Sequence, residues 1–237
     1  EFVSAMEDAS GRDLTQFRRW YKQAGTPVVR VRSEYDAAAN TYTLDFQQSC
    51  PATPGQSEKL PLVIPVKLGL VGADGVDMQL NAAGQTETVF EITEASQQLV
   101  IENIKQEPVP SLLRGFSAPV KLDYDYSPEQ LAHLMANDSD GFNRWDACQT
   151  LCLAVLTQLI DDSKHDRPMI VDGELVEAFK ALLTDTSLDP AMVALMLQLP
   201  SESLLHEEAE TIYVDAIHDA RLFMRTALAG CLMDELQ

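Results

Sequence analysis

A chain of 237 residues with 46% hydrophobic side chains is long enough for about two domains, each with a buried core. Its 37 acidic side chains against 17 basic ones give a net charge of −20, which argues against a nucleic-acid surface or an anionic membrane face. The charge is uneven, with 15 acids and 11 bases in residues 1–122 but 22 acids and 6 bases in residues 123–237, so the composition shifts where a domain boundary is expected. Cys50, Cys148, Cys152 and Cys231 are too scattered for a disulfide framework and include no Cys-x-x-Cys pair, which suits a reducing, cytoplasmic compartment. No apolar run approaches the roughly 18 residues of a membrane span. The opening on Glu1 and the ending LMDELQ read as an internal piece of something longer.

Residues 1–26 read as helix. EFVSAMEDAS leads to Asp13 as an N-cap, followed by Leu14, Phe17, Arg18 and Tyr21 at helical spacing, with Gly25 and Pro27 as the stop. The arginines of FRRWY, in so acidic a chain, are expected to pair at the surface beside a packed tryptophan. From Val28 the period becomes two. VVRVRSEY, TYTLDFQQ, LVIPVKLGLV, VDMQL, TETVFEI, QQLVIENI and PVKLDYDY are short runs rich in β-branched and aromatic residues, separated by Gly, Pro, Asn and Asp. They predict an antiparallel β-sandwich whose isolated Lys and Arg positions lie on solvated edges.

After Tyr126 the pattern is helical to the end. Ser127-Pro128-Glu129 opens a helix, and the next carries an apolar stripe of Trp145, Cys148, Cys152, Val155 and Leu159. Further helices are predicted near 173–183, 189–198 (opened by Asp189-Pro190) and 210–236. Short helices on short loops indicate an all-helical array, although no fixed repeat period is visible. The fold class expected is therefore multi-domain β + α, a sandwich followed by helices.

Candidates for chemistry are few. SLLHEEAET imitates the His-Glu-x-x-His zinc pattern, which needs two histidines one helical turn apart with a glutamate beside the first. Here His206-Glu207 is followed by Glu210 at the second ligand position, and the position of a distant third ligand is Ala229. The bland alternative is an acidic first turn of a helix, with Glu207, Glu208 and Glu210 near the positive end of its dipole. Cys148 and Cys152 share a helical face that suits two metal ligands, but with no second pair they read as core. His133, His165, His206 and His218 have no ligand spacing. Asp215 and His218, at i and i+3, read as a surface ion pair, because no nucleophile motif accompanies them.

Six stretches in order, EFVSAMEDAS, LTQFRRWYKQAGTPVV, CPATPGQSEKLPLVIPV, EPVPSLLRGFSAPVKLDY, NDSDGFNRWDACQ and LDPAMVALMLQLPS, resemble the bacterial aminopeptidase N family, zinc-dependent alanyl aminopeptidases of the gluzincin type. The resemblance covers essentially the whole chain. It implies that residues 1–26 are the end of a thermolysin-like catalytic domain, 27–122 a small β-sandwich, and 123–237 the first part of a large helical domain that caps the active-site chamber. It implies a parent enzyme that removes N-terminal residues from peptides by attack of a zinc-activated water. The partners implied are peptide substrates, the upstream catalytic domain and the remaining helices, with no nucleic acid and no membrane span.

The family's catalytic parts do not carry over. Its Gly-Ala-Met-Glu-Asn motif binds the substrate's amino group, whereas SAMED at Ser4–Asp8 shares only the central three residues, and Glu7 reads as a decoy. No catalytic, cofactor-binding or metal-ligating residue is expected here, and this chain alone is expected to be inactive, with zinc held only by the parent. Two rival readings are an autonomous protein-interaction module and a metal enzyme built from His206, Glu210, Asp215 or His218.

Overall fold

The computed structural model describes every residue except Ser187, Leu236 and Gln237, and every described side chain except that of Glu208. The chain divides into two compact units, Glu1–Ala73 with Asp77–Asp125, and Asp74–Val76 with Tyr126–Gln237.

The first unit is a two-sheet sandwich. Strands β1 (Val28–Asp36), β2 (Thr41–Ser49), β5 (Ser96–Glu102) and β7 (Lys121–Asp123) form one sheet in the order β5-β2-β1-β7, and β3 (Ile64–Val71), β4 (Glu87–Ile92) and β6 (Val109–Leu112) form the other in the order β4-β3-β6. All pairs are antiparallel except β1 with β7, which is parallel. Alternation along each strand decides which side chains face inward. Val29, Val31, Tyr42, Leu44 and Phe46 from one sheet share a buried cluster with Ile64, Val66, Leu68, Leu70 and Ile92 from the other. Phe46 and Phe90 bring their rings to 5.2 Å, within the range that favours aromatic pairs. Burial pushes the Tyr42 phenol far above its ordinary range, so it stays neutral in this core. The β1–β2 register is set at its turn: Asp36 accepts hydrogen bonds from the Ala38 and Ala39 amides, and Asn40 takes the left-handed conformation with φ 55°.

Two expectations about strands fail together. VDMQL is not a strand, because only Asp77 bridges to Val71 before the Met78 amide donates to Leu70 and the chain turns at Asn81–Gly84. The seventh strand is instead Val109-Pro110-Ser111-Leu112, whose prolines disguise it. Pro110 is tolerated because β6 is an edge strand, where a missing N–H costs no ladder bond.

The N-terminal stretch is two short elements rather than one helix. Helix α1 (Phe2–Ser10) stops at Gly11, whose φ of 66° suits glycine, and a 3₁₀ turn occupies Phe17–Tyr21. Asp13 accepts from the Thr15 amide, a turn contact in place of a helix cap. This stretch lies on the sandwich through side chains that satisfy backbone groups: Trp20 Nε1 donates to Val63 O at 2.8 Å, Gln16 to Thr93 O at 2.6 Å, and Arg19 to Pro61 O. Arg12 forks onto Glu91 at 2.9 and 3.0 Å.

The second unit is helical: α2 (Pro128–Asn137), α3 (Gly141–Lys164), α4 (Gly173–Thr184), α5 (Pro190–Met196), α6 (Glu202–Glu208) and α7 (Val214–Cys231). Local sequence explains most starts. Ser127 and Gln130 form a reciprocal capping box with Pro128 in the first turn, and Asp140, Asp172, Asp189 and Ser201 each accept from an amide of the helix they precede. The buried face of α3 runs through Cys148, Leu151, Cys152, Leu156 and Leu159, with Trp145 and Val155 half-buried at its sides. The last helix is shorter than the 210–236 expected. Its start waits until Val214, its end falls at Cys231, and Leu236 lies outside the described residues.

Candidate functional site

The N-terminal candidate, Glu7, is fully engaged inside its own unit. One carboxylate oxygen accepts from the Leu14 amide at 2.9 Å and the other takes the Arg18 guanidinium. The bond from Arg18, then that from Leu14, holds the Glu7 carboxyl below its ordinary value of 4.5. A depressed carboxyl pKa contributes stability that is fully present above 4.5 and is lost as pH falls through the lower folded-state value. The Leu14 amide is therefore expected to lose its exchange protection, relative to its intrinsic rate, as pH drops below 4.5, and Glu7→Gln to abolish that pH dependence. Unchanged protection across that window would show that Glu7 does not hold the segment.

The imitation zinc motif is broken by helix length. Helix α6 ends at Glu208, so His206 and Glu207 lie in its last turn and Glu210 lies beyond it. The residues expected in an acidic first turn are thus at the wrong end of the helix. Glu202 is the acid that occupies the first turn. His206 and Glu210 share no helical face, and the His206 Nε2 is enclosed without a hydrogen-bond partner among the described residues. His218 pairs with Glu202 of α6 at 3.0 Å rather than with Asp215. Cys148 and Cys152 do lie together, both buried, with Cys148 Sγ donating to Met196 O at 3.3 Å. Contact with the Cys148 thiol, followed by burial, raises the Cys152 pKa well above its ordinary value, which disfavours its thiolate. Among the described residues no three His, Cys, Asp or Glu side chains gather to hold a metal. The donors present do not fit a zinc site.

The polar constellations that the fold does build were not expected. Arg114 is 1% exposed, which corrects the expectation that every sandwich arginine sits on a solvated edge. It forks onto Asp77 at 3.0 and 2.7 Å and donates to Ser111 Oγ at 2.8 Å. The guanidinium lies over Gly69, where a Cβ would meet its Cζ at 2.4 Å. Three positive φ angles, at Leu113 (58°), Gly115 (61°) and Phe116 (53°), surround it. A second knot forms where Lys59 Nζ donates to Ala24 O, Thr53 Oγ1 and Gln56 Oε1 at 2.7–2.9 Å, satisfying all three ammonium protons. The sequence signals were a lone arginine inside an apolar run, SLLRGF, and a glycine inside a strand, VKLGLV.

The chain is 41% identical over all 237 residues to Aminopeptidase N of Escherichia coli, 27% of whose length it spans. It is 39% identical to Aminopeptidase N of Haemophilus influenzae and to that of Caulobacter vibrioides, each over 236 residues, spanning 27% and 26% of those proteins. Along its whole length the chain resembles one region of aminopeptidase N. It spans about a quarter of the length of these relatives. Two family models divide it in the same order as the fold: a domain of unknown function (DUF3458) with an Ig-like fold at residues 25–125, and its companion (DUF3458_C), described as ARM repeats, at 128–237. The helical array that shows no repeat period in its sequence thus belongs to a repeat class. A crystal structure of Legionella pneumophila aminopeptidase A in complex with aspartic acid matches 99% of the chain and 25% of its own, at 28% identity and a TM-score of 0.81.

The structure gives the stretches that carry this likeness a physical meaning. LTQFRRWYKQAG supplies Gln16, Arg19 and Trp20, which strap the N-terminal segment to the sandwich. CPATPGQSEKL supplies the Lys59 knot, and EPVPSLLRGFSAPV supplies β6 and the buried Arg114. In each of these stretches polar side chains satisfy backbone groups or a buried charge within this unit.

Proposed function

We propose that this chain is a non-catalytic portion of a zinc metalloaminopeptidase, serving as scaffold and as part of the wall of the chamber in which peptides lose their N-terminal residues. The observation that carries this reading is 41% identity, end to end, to a region covering only 27% of an aminopeptidase N. In support, His206, Glu210, Asp215 and His218 lack ligand geometry, and the carboxylate of Glu7 is already spent on Leu14 and Arg18. In this reading residues 1–26 close a thermolysin-like catalytic domain, 27–122 are the sandwich and 123–237 begin the capping helical domain. The zinc and the groups that act with it belong to another part of a cytoplasmic parent enzyme, and the acidity of residues 123–237 favours cationic peptide N-termini near the chamber.

The test is zinc content per chain, by elemental analysis after purification without chelator, together with alanyl anilide hydrolysis. The chain alone is expected to carry no stoichiometric zinc and to release no aniline, and joining it to an aminopeptidase N catalytic portion is expected to restore turnover. One tightly bound zinc per chain, or turnover by the chain alone, would overturn the reading. A chain that cannot support the catalytic portion but captures a separate protein partner would favour the interaction-module alternative.

A further inference from the structure

Within the helical unit, a cavity of about 340 Å³ opens between the second half of α3, the end of α6 and the start of α7. That volume lies at the small end of the range for small-molecule sites. Its floor is apolar, made by Leu153, Ile160, Leu205 and Ile217 with the Tyr213 ring, and Leu205 and Ile217 are buried. Two opposite charges, Lys164 and Glu210, also line it. The Lys164 side chain is only 28% exposed, and its ammonium sits 4.2 Å from the Tyr213 ring centroid. Its nearest carboxylate oxygen, on Asp161, is 3.9 Å away, beyond hydrogen-bond reach, and Asp161 is already taken by Arg167. Lys164 thus makes no hydrogen bond among the described residues. Glu210, on the opposite sign, has no hydrogen bond or ion pair among them either, and it also lines the cavity.

An ammonium with a partly covered stem and no hydrogen-bond acceptor among the described residues, an exposed carboxylate and an apolar floor together describe the complement of a zwitterion with an apolar tail. We propose that this cavity binds a free α-amino acid with an apolar side chain. Its α-carboxylate pairs with Lys164, its α-ammonium with Glu210, and its side chain enters among Leu153, Ile160, Leu205 and Ile217. Glu210 is exposed, so its contact resembles a surface pair, whereas the Lys164 side chain is partly covered and the apolar floor rewards the tail. The site selects against acidic amino acids, whose side-chain carboxylate would be buried without a partner.

The experiment is a titration of the 237-residue chain with L-leucine, followed by NMR of its isoleucine methyl groups. The probes for each contact are 4-methylpentanoate, which lacks the amine, isopentylamine, which lacks the carboxylate, and L-aspartate. Leucine is expected to saturate in the millimolar range and to shift the Ile160 and Ile217 resonances. Each truncated probe should bind about tenfold more weakly, and L-aspartate should not bind. Lys164→Met is expected to weaken leucine about tenfold and to remove the preference for leucine over isopentylamine. Thr157, exposed on α3 at the cavity mouth, offers a second variant: Thr157→Phe fills the cavity without touching the core and should abolish binding by every probe. Absence of saturable leucine binding would overturn the proposal, as would binding unaffected by both variants. The readout is binding to this chain, so its failure leaves the peptidase reading standing, and a failed hydrolysis assay leaves this site standing.

Discussion

Replacing Arg114 by alanine is expected to destabilise the sandwich unit by about 3–5 kcal/mol, the loss that follows when one partner of a buried ion pair is removed. Arg114 is 1% exposed and the Asp77 side chain 15%, so neither charge can recover its hydration without unpacking the sandwich. Ser111 Oγ would lose a donor as well. The measurement is urea unfolding in a Trp145→Phe background, where Trp20, packed against the sandwich core, is the sole indole reporter. The double variant Arg114→Met with Asp77→Leu is expected to recover most of the loss, because an apolar pair carries no unpaired charge. A loss below about 1 kcal/mol for Arg114→Ala would place the pair with exposed salt bridges and contradict the burial argument.

The second large effect is expected at Arg144 in the helical unit. Its guanidinium donates to Met135 O at 3.1 Å and Ala136 O at 2.6 Å, carbonyls in the last turn of α2 that have no partner within their own helix. It also faces the Asp185 carboxylate at 3.5 Å, just past the end of α4. Burial lowers the Arg144 pKa, opposed by Asp185, and arginine remains charged at neutral pH. Arg144→Met keeps the length of the side chain but removes the donor to two carbonyls and the ion pair with Asp185, with an expected cost of about 2–4 kcal/mol. Arg144→Lys is expected to recover less than half, since an ammonium cannot reproduce the planar fork. Urea unfolding followed by Trp145 in a Trp20→Phe background reads both. Equal stability of the Lys variant and the parent chain would mean that charge alone, not the geometry of the bonds to α2, is what this position requires.

These two arginines mark the limit of local reading. In the sequence Arg114 looks like a solvated edge cation, and nothing within a turn of it announces Asp77, 37 positions away. The zinc-like motif misleads for a related reason. His206 and Glu210 have the right spacing for one helical face, but α6 stops at Glu208, so the spacing never becomes geometry. Asp215 and His218 do share α7, yet His218 finds its carboxylate on α6 because that helix packs across it. Cys148 and Cys152 were legible as core because burial of a helical stripe follows directly from its period.

What the sequence by itself determined is local or periodic. It set the switch from a two-residue to a helical period near Tyr126, the helix starts at Ser127-Pro128 and Asp189-Pro190, and most of the sandwich strands. Each depends on groups within a few residues of one another. What only the tertiary structure decided was the partner of each charge and the choice between competing strands. VDMQL looks the better strand and Val109–Leu112 the worse, with Pro108 preceding it and Pro110 inside it. The chain takes the second because an edge position excuses Pro110, and because Asp77, released from a strand, can neutralise the arginine buried beside β6. The free energy of a buried charge depends on what lies opposite it in space, and that partner has no fixed distance along the chain.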